Sequence, residues 1–406
     1  MLMNNEKQKL VPAFRFPEFE NDREWKALTI EDIANVNTGG KDTQDKINNG
    51  KYPFFVRSQT IEKINSFSFD GEAILTSGDG VGVGKIYHYI IGKFDYHQRV
   101  YCLFNFKNQV SGKFVYYYFS EHFYRRVMQL SAKNSVDSVR RAMITEMPIY
   151  LPSFSEQQKI VNCLSSLDAI LKVEIEKLDH LKDHKKGLLQ QLFPIEGKSK
   201  PQFRFPEFKN DRDWEVSTLN KISSSIFDGT HQTPKYTKKG IPFFSVENLI
   251  SGRKNKYISR EDYLYETRNN KPEFGDVLIT RIGNIGTPKV VDWEYEFSIY
   301  VTLAVVKKSE KFDSYYLQAY IQSSRFQNEI LRRSLLKAAP CKINMDELRK
   351  CEVLLPSNKK EQQKIANCIS TADELIESQI HKIKALKKHK KGLMQQLFPN
   401  VNSLVI

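Results

Sequence analysis

The sequence has few cysteines and lacks several features that would place the protein outside the cytoplasm. Its five cysteines are an odd number without a Cys-x-x-Cys pair, which favours reduced thiols over a disulfide framework or a structural zinc site. The longest apolar runs, such as VTLAVV, have only the length of a strand, so no membrane span is predicted. The polar stretch MLMNNEKQKL lacks the apolar core of a secretory signal. These absences predict a cytoplasmic protein without a metal site.

Motifs of catalysis are also missing. GDGVGVGK, which ends at Lys85, is not a phosphate-binding loop, because Asp79 replaces a required glycine and Ile86 replaces the hydroxyl residue that would bind magnesium. His180 and His184 stand one helical turn apart, but no glutamate completes a zinc-protease motif. Neither a Gly-x-Ser-x-Gly elbow nor a DPPY-like or NPPY-like tetrapeptide occurs. The sequence therefore predicts no catalytic residue, and GDGVGVGK is interpreted as a glycine-rich loop between strands.

Basic residues exceed acidic residues by a wide margin. The chain has 62 Lys and Arg against 48 Asp and Glu, which gives a formal net charge of +14. Such an excess favours polyanionic partners, and nucleic acid is one of them. Binding to anionic lipid, or nonspecific adhesion like that of ribosomal proteins, would fit the same charge, so composition alone leaves the partner open.

Two segments of the sequence occur twice. FRFPEFENDREW, which begins at Phe14, and FRFPEFKNDRDW, which begins at Phe203, agree at ten of twelve positions. The segments that run from Glu156 to LFP and from Glu361 to LFP share 23 of 39 residues. The chain of 406 residues is therefore a duplication, in which each unit of roughly 200 residues has a shared beginning, a shared end and a divergent middle.

The repeats divide the chain into five predicted segments. The boundaries are marked by LPS before each helix and by LFP after it, where Pro194 and Pro399 stop helix formation. The segments are a first domain (1–152), a first helix (153–195), a polar linker (196–200), a second domain (201–356), and a second helix with the C-terminal tail (357–406).

The shared ends predict two long helices that pair with each other. Apolar residues recur at the 4,3 spacing of a coiled-coil seam, and polar residues interrupt both seams at the same places, Glu174 and Lys185 in one and Gln379 and Lys390 in the other. At 1.5 Å per residue each helix would be about 57 Å long, too long for its narrow apolar stripe to be buried on one small domain. The seam comprises Ile160, Leu164, Leu167, Leu171, Leu178 and Leu181 in the first copy and Ile365, Ile369, Ile376, Ile383 and Leu386 in the second.

The divergent middles predict a mixture of strands and helices. YPFFV, EAILTS and KIYHYIIGKFDYHQRVYCLFNF are rich in β-branched and aromatic residues, and GIPFFSV, GDVLITR and FSIYVTLAVVKK follow in the same order in the second copy. A helix in the first middle can place Phe119, Phe123, Val127 and Leu130 on one face, and SYYLQAYIQSSRFQNEILRRS predicts the matching helix. We therefore expect one fold that carries two different surfaces.

Side chains suited to DNA recognition cluster in these middles. Arg pairs with guanine and Gln or Asn with adenine, while Lys, His and hydroxyl groups can hold phosphates. Each segment is also typical of an ordinary surface loop, but together they favour DNA binding. The candidates are Arg57, Ser58, Gln59, Lys85, His97, Gln98 and Arg99 in the first copy and Thr230, His231, Gln232, Lys235, Tyr236, Arg281, Asn284 and Lys289 in the second.

The layout as a whole resembles a known family. A variable domain, a helix ending in GLLQQLFP, a second variable domain opening on FRFPEF, and a helix ending in GLMQQLFP resemble the specificity subunit of type I restriction-modification systems over essentially the whole chain. The resemblance implies an α+β protein with two mixed α/β target-recognition domains in tandem, separated and joined by two long antiparallel coiled-coil helices. Each domain would read one half of a bipartite, asymmetric site in double-stranded DNA, and the helices would space the halves and dock two modification (methyltransferase) subunits.

The resemblance also implies where the chemistry resides. No catalytic residue and no cofactor are expected in this chain. S-adenosylmethionine would be used by the modification subunits, and ATP and Mg²⁺ by the partner subunits that translocate and cleave DNA.

Two other functions fit parts of the sequence. A solitary nuclease or DNA-modifying enzyme would act on DNA unaided, and a coiled-coil adaptor would bind protein without any preference for a DNA sequence.

If the helices act as a spacer, lengthening one of them is expected to change the gap between half-sites and to leave both half-sequences unchanged.

Overall fold

The computed structural model describes residues 11–131 and 138–399, which form two compact units. The first unit contains the described residues up to Glu174 and from Lys382 onward, and the second unit is Ile175–His381. Each unit therefore includes one half of each long helix. The first ten residues, for which no secretory signal was predicted, lie outside the described residues. The C-terminal tail after Pro399 also lies outside them.

The first unit is built on a six-stranded sheet beside a two-stranded sheet. Its strands are β1 (Lys26–Thr29), β2 (Asn35–Thr38), β3 (Tyr52–Phe55), β4 (Ile61–Ile64), β5 (Phe69–Ser77), β6 (Tyr87–Tyr96), β7 (Val100–Phe104) and β8 (Pro148–Leu151). Its short helices are α1 (Ile30–Ile33), α2 (Gly112–Leu130) and α3 (Arg141–Thr145), and a 3-10 turn lies at each of Pro17–Phe19 and Thr43–Asp45. The large sheet has the order β2-β7-β5-β6-β3-β4, with β3 parallel to β6 and the other neighbours antiparallel, and β1 pairs with β8.

Helix α2 supplies much of the core of this unit. Ser111 caps its first turn by accepting a hydrogen bond from the Phe114 backbone NH, at 3.3 Å. The expected apolar face is buried at Phe119, Phe123 and Val127. Leu130 belongs to the same helix, but it is the last residue and is 50% exposed.

The second unit contains the remaining strands and short helices. Its strands are β9 (Glu215–Thr218), β10 (Ile226–Asp228), β11 (Ile241–Phe244), β12 (Tyr257–Ile258), β13 (Val277–Thr280), β14 (Pro288–Val290), β15 (Ser298–Ile299), β16 (Leu303–Val306) and β17 (Glu352–Leu355). Its helices are α5 (Leu219–Ile222), α6 (Val246–Ser251), α7 (Arg260–Glu266), α8 (Ser314–Gln322), α9 (Ser324–Arg332) and α10 (Met345–Lys350), and a 3-10 turn lies at Pro206–Phe208. The predicted single helix after β16 is two helices, because Ser323 ends α8 and its hydroxyl caps α9 by accepting from the Phe326 NH.

The strand topology of the two units is the same, as the matching order of segments predicted. The order β10-β16-β13-β14 repeats β2-β7-β5-β6, and β17 pairs with β9 as β8 pairs with β1. β11 is antiparallel to β12 and parallel to β15, which repeats the pairing of β3 with β4 and β6. The units differ where the ten-residue β6 is replaced by β14 and β15 with seven residues between them.

The two long helices have equal length. They are α4 (Phe154–Leu192) and α11 (Lys359–Leu397), each of 39 residues, and each ends two residues before the proline of LFP. In the first unit, Glu174 pairs with Lys382 at 2.6 Å and Asp168 pairs with Lys390. Residue numbers rise along α4 while they fall along α11, so the two helix segments of this unit are antiparallel. In the second unit Lys185 pairs with Asp373 at 2.5 Å.

In each unit the segment FRFPEF is tied to α4 or α11 by one buried ion pair. In the first unit the guanidinium of Arg15 donates to both carboxylate oxygens of Glu156, at 2.9 and 2.7 Å, and Trp25 Nε1 donates to the same carboxylate at 3.3 Å. The hydrogen bond to Glu156 raises the pKa of Arg15 above its ordinary value. The second unit repeats this cluster with Arg204, Trp214 and Glu361. This cluster explains why both copies share the arginine of FRFPEF, the tryptophan and the glutamate of EQQK.

The end of each helix packs on the beginning of a domain in the same way in both units. In the first unit Leu397 and Phe398 lie in the core, and the Phe14 NH donates to the Gln396 carbonyl at 2.9 Å. In the second unit Leu192 and Phe193 lie in the core, and the Phe203 NH donates to the Gln191 carbonyl at 2.9 Å. In the first unit, LFP of the second copy therefore contacts FRFPEF of the first copy. No local sequence pattern predicts this contact between the two repeats.

Candidate nucleic-acid interface

In the first unit, loops at the ends of β3 and β5 and before β7 bring three charged side chains together. Arg57 Nη1 lies 2.9 Å from Asp79 Oδ1, and Arg99 Nη1 lies 2.6 Å from Asp79 Oδ2. We call Arg57, Asp79 and Arg99 the first arginine cluster. Burial acts to raise the pKa of the Asp79 carboxyl, but the hydrogen bonds from Arg57 and Arg99 outweigh it and lower the pKa. The shared carboxylate holds two partly exposed guanidinium groups side by side, which is a geometry suited to guanine or phosphate.

The turn before β7 is fixed by a buried histidine. His97 is 2% exposed and its Nδ1 accepts a hydrogen bond from the Arg99 NH at 2.9 Å, so the other ring nitrogen carries the proton of the neutral form. Burial and then the charge of Arg57 lower the pKa of His97. Gln98 Nε2 donates to Asp42 Oδ2 at 3.0 Å. The structure therefore gives His97 a supporting position beneath Arg99.

The other candidates of the first unit lie on nearby loops. The Ser58 hydroxyl donates to the Thr60 carbonyl at 2.9 Å, and Gln59 is exposed. Lys85 Nζ lies 5.4 Å from the centre of the Tyr124 ring. These contacts leave Gln59 and Lys85 available to a ligand.

In the second unit the corresponding cluster is centred on Asp228. Arg281 Nη1 lies 2.8 Å from Asp228 Oδ2, and His231 Nε2 lies 3.0 Å from the same oxygen. Arg281 also donates to the carbonyls of Val301 and Ile343 and its side chain is 8% exposed. Burial lowers the pKa of Arg281. Arg281 thus has the environment of a positioning residue, and exposed His231 is the group that faces solvent.

The remaining candidates of the second unit do not form one cluster. The Thr230 hydroxyl donates to the Gln232 carbonyl at 3.2 Å and stabilises their turn, while Lys289 pairs with Asp292 at 2.9 Å. The candidates with exposed side chains are Gln232, Lys235, Tyr236 and Asn284.

Backbone hydrogen bonds show that the two clusters lie at the corresponding end of the sheet in each unit, with Gly78 as the counterpart of Arg281 and Arg99 as the counterpart of Thr302. The Gly78 NH donates to the Arg99 carbonyl at 2.8 Å, as the Arg281 NH donates to the Thr302 carbonyl at 2.9 Å. Val139 and Ile343 donate in turn to the carbonyls of Gly78 and Arg281. The same strand ends therefore carry different side chains in the two units.

Sequence reasoning missed the acidic partners of these clusters. Asp79 was considered only as a departure from a nucleotide-binding motif, and Asp42 and Asp228 were not considered. These aspartates could have been identified from their sequence position, because each lies near a turn at the end of a predicted strand. Aspartate side chains at such positions often organise loops. The exposed apolar residue Val81 was also missed, because only polar side chains were considered.

The seam residues divide by position along the helices. Ile160, Leu164, Ile365 and Ile369 lie in the cores of their own units, and Leu171 and Ile383 are also buried. The partly exposed members are Leu167, Leu178, Leu181, Ile376 and Leu386. His180 and His184 are exposed on α4.

Two glycines allow the close approach of strand ends in these loops. A Cβ atom on Gly39 would lie 1.9 Å from the Tyr96 carbonyl oxygen, and one on Gly229 would lie 2.0 Å from that of Ile299. We expect Gly39→Ala to lower the free energy of unfolding by about 1–3 kcal/mol, the typical effect of overpacking. Urea unfolding of the variant and of the unchanged protein would measure this difference in the free energy of unfolding. Gly40→Ala is the matched control, because nothing lies within 4 Å of its added Cβ, and equal stability of the two variants would contradict the prediction.

Comparison with known proteins establishes the family. The model of the type I restriction modification DNA specificity domain matches residues 22–183 and 211–388, once in each repeat. The chain therefore belongs to the family of type I restriction-modification DNA specificity subunits, as its layout indicated. Members of this class read DNA target sites and are the non-catalytic subunits of their systems.

Individual relatives agree with this assignment. The specificity subunit of the type I restriction enzyme MjaVIII of Methanocaldococcus jannaschii is 23% identical over 416 aligned positions, which cover 96% of this chain and 94% of that protein. The EcoDI specificity subunit of Escherichia coli is 26% identical over 216 residues, 47% of each chain. A crystal structure of the S subunit of a type I restriction-modification system from M. genitalium has the same fold, with a TM-score of 0.64 at 16% identity over 96% of this chain and 99% of that one.

Within residues 11–131 and 138–399, no helix is both long and apolar enough to cross a bilayer.

Proposed function

We propose that this chain selects the DNA sequence on which a type I restriction-modification complex acts, and that each domain reads one half of a split, asymmetric site in double-stranded DNA. The observation that supports the proposal is that the corresponding sheet end of each unit carries a cluster of polar and charged side chains, and that the side chains at equivalent backbone positions differ. One fold used twice would bind two DNA segments in the same manner. Different residues at the same places would recognise different bases.

The proposal extends to partners and cofactors. The duplicated framework would offer equivalent docking surfaces to two modification subunits, and restriction/translocase subunits would complete the complex in the cytoplasm. S-adenosylmethionine would serve the modification subunits, and ATP and Mg²⁺ the other partners, with no cofactor held by this chain. The exposed apolar residues of the helices, Val173 and Leu375 among them, are 61% and 52% exposed and suit such docking.

The test is to co-express the chain with the methyltransferase subunit encoded beside it and to map N6-methyladenine by single-molecule sequencing. The expected result is methylation of a split motif with one fixed gap, which disappears when this chain is deleted. Methylation that is unaffected by the deletion would overturn the proposal, and modification by the purified chain alone would favour a solitary enzyme.

A spacer role predicts the effect of longer helices. Seven residues inserted in each helix, after Glu174 in α4 and after His381 in α11, preserve the seam repeat and add about 10 Å, the length of roughly three base pairs. We expect the mapped gap to grow by about three base pairs while both half-sequences stay the same. Methylome sequencing of cells that express the variant measures both quantities.

The matched control for these insertions is one of equal length after Gly197, in the linker. Gly197 lies in an exposed segment outside both helices, so the gap should not change. A gap that stays constant in the helix variant, or that grows in the linker variant, would contradict the spacer role.

A further inference from the structure

The glycine-rich loop of the first arginine cluster presents one apolar side chain entirely to solvent. Val81 is 101% exposed, whereas the next residues, Gly82, Val83 and Gly84, are buried. Short-range hydrogen bonds hold the loop: the Val83 NH donates to the Gly80 carbonyl at 3.1 Å, and the Tyr87 hydroxyl donates to the Gly84 carbonyl at 2.5 Å. Val81 is therefore fixed in place by its neighbours and buries no apolar surface of its own.

The position of Val81 is next to the arginine pair. Asp79, which binds Arg57 and Arg99, stands two residues before Val81 in the same loop. On the other side, a Cβ added to Gly82 would lie 3.5 Å from the Arg57 carbonyl oxygen. A ligand that reaches both guanidinium groups would therefore pass beside the Val81 side chain.

The corresponding loop of the second unit is one residue shorter between its glycines and carries an asparagine directly after the first of them. Gly80 and Gly283 precede the two tips with φ values of 78° and 81°, conformations that favour glycine. After the tips, Val83 and Ile285 are 4% and 8% exposed and both pack in the main core of their unit. Val81 and Asn284 are thus the exposed tips of corresponding loops, one apolar and one an amide.

The different base edges in the major groove would explain why one loop tip is valine and the other asparagine. An amide can bond to adenine, whereas an apolar side chain distinguishes thymine by its C5 methyl group. A β-branched valine has few rotamers to lose on contact. We propose that Val81 is a specificity-determining residue that contacts the methyl group of one thymine in the half-site read by the first domain; this rests on the proposed function.

Deoxyuridine scanning tests the contact, since uracil pairs as thymine does but lacks the methyl group. Each thymine of both mapped half-sites is replaced in turn, and the affinity of the chain assembled with its methyltransferase subunits is measured by competition. One replacement should weaken binding about fourfold, the effect of one buried methyl group. In Val81→Ala that replacement should have no effect, while sensitivities elsewhere persist.

The control variant is Ile91→Ala, which removes another exposed apolar side chain of the same unit. Ile91 is 70% exposed on β6, opposite Glu72 of β5, and its loss should leave the uracil sensitivity unchanged. The inference is overturned if no thymine is sensitive, if the sensitivity survives in Val81→Ala, or if the half-sites contain no thymine. Each of these results is compatible with a mapped split motif, so failure of the inference is distinguishable from failure of the proposed function.

Discussion

Replacement of Glu156 by glutamine is expected to lower the free energy of unfolding of the first unit by about 3–5 kcal/mol, the usual effect of removing one partner of a buried ion pair. The Arg15 and Glu156 side chains are 8% and 1% exposed. Loss of the carboxylate charge leaves the Arg15 guanidinium buried without a counter-ion and weakens the bond from Trp25. Because the ion pair joins the beginning of the domain to α4, the loss should affect the whole unit.

Urea unfolding followed by tryptophan fluorescence measures this effect. Trp25 is the tryptophan of the first unit and contacts the altered residue, whereas Trp214 and Trp293 belong to the second unit. Glu361→Gln is the matched variant, and it should produce a similar loss in the second unit because Arg204 and Glu361 are 9% and 1% exposed.

A double variant separates the charge from the packing. Arg15→Leu with Glu156→Leu removes both charges, so it should be less destabilised than Glu156→Gln alone. A loss below about 1 kcal/mol for the single variant, which is the range of exposed ion pairs, would show that this pair does not hold the unit together.

Replacement of Asp79 by alanine is expected to reduce the preference for specific over nonspecific DNA by about 5- to 150-fold, the discrimination of one well-placed base contact. Asp79 is the acceptor for both Arg57 and Arg99, so its loss frees two guanidinium groups to bind any phosphate. Nonspecific affinity should therefore rise while affinity for the specific site falls. The salt dependence of nonspecific binding should become steeper by about one phosphate contact.

Competition binding of the assembled complex to specific and nonspecific duplexes, over a range of salt concentrations, measures these changes. Glu18→Ala is the control, because it removes the same charge from an exposed ion pair with Lys159, 2.6 Å apart, and frees no arginine of the cluster. If Glu18→Ala reduced the preference as much as Asp79→Ala, net charge rather than arginine orientation would be the cause.

The large-scale organisation was predictable because its signals are local or repeated. The seam spacing marks a helix within a few turns, and the β-branched runs mark strands within a few residues. The predicted helix after β16 was divided by Ser323 because serine side chains compete for backbone hydrogen bonds and start new helices, a local effect that the apolar spacing alone does not reveal.

The candidate site was predictable in its residue types but not in its arrangement. Arg57, Arg99 and Arg281 were all selected because arginine is a common base reader. The structure leaves Arg57 and Arg99 exposed, whereas Arg281 is buried and bonded within the protein. Whether an arginine side chain is exposed to solvent depends on which strand ends pack around it, and sequence order does not show this. A residue type can therefore suggest a role that its surroundings do not permit.

By itself the sequence determined the duplication, the two long helices, the mixed α/β domains and the family resemblance, since each depends on neighbouring residues or on direct comparison of two segments. Only the tertiary structure decided which charges meet. Arg57 and Arg99 lie 22 and 20 positions from Asp79, and Arg15 lies 141 positions from Glu156. Strand pairing and core packing bring such residues within 3 Å, and the energy of a charge depends on that distance and on burial, neither of which is written in sequence order.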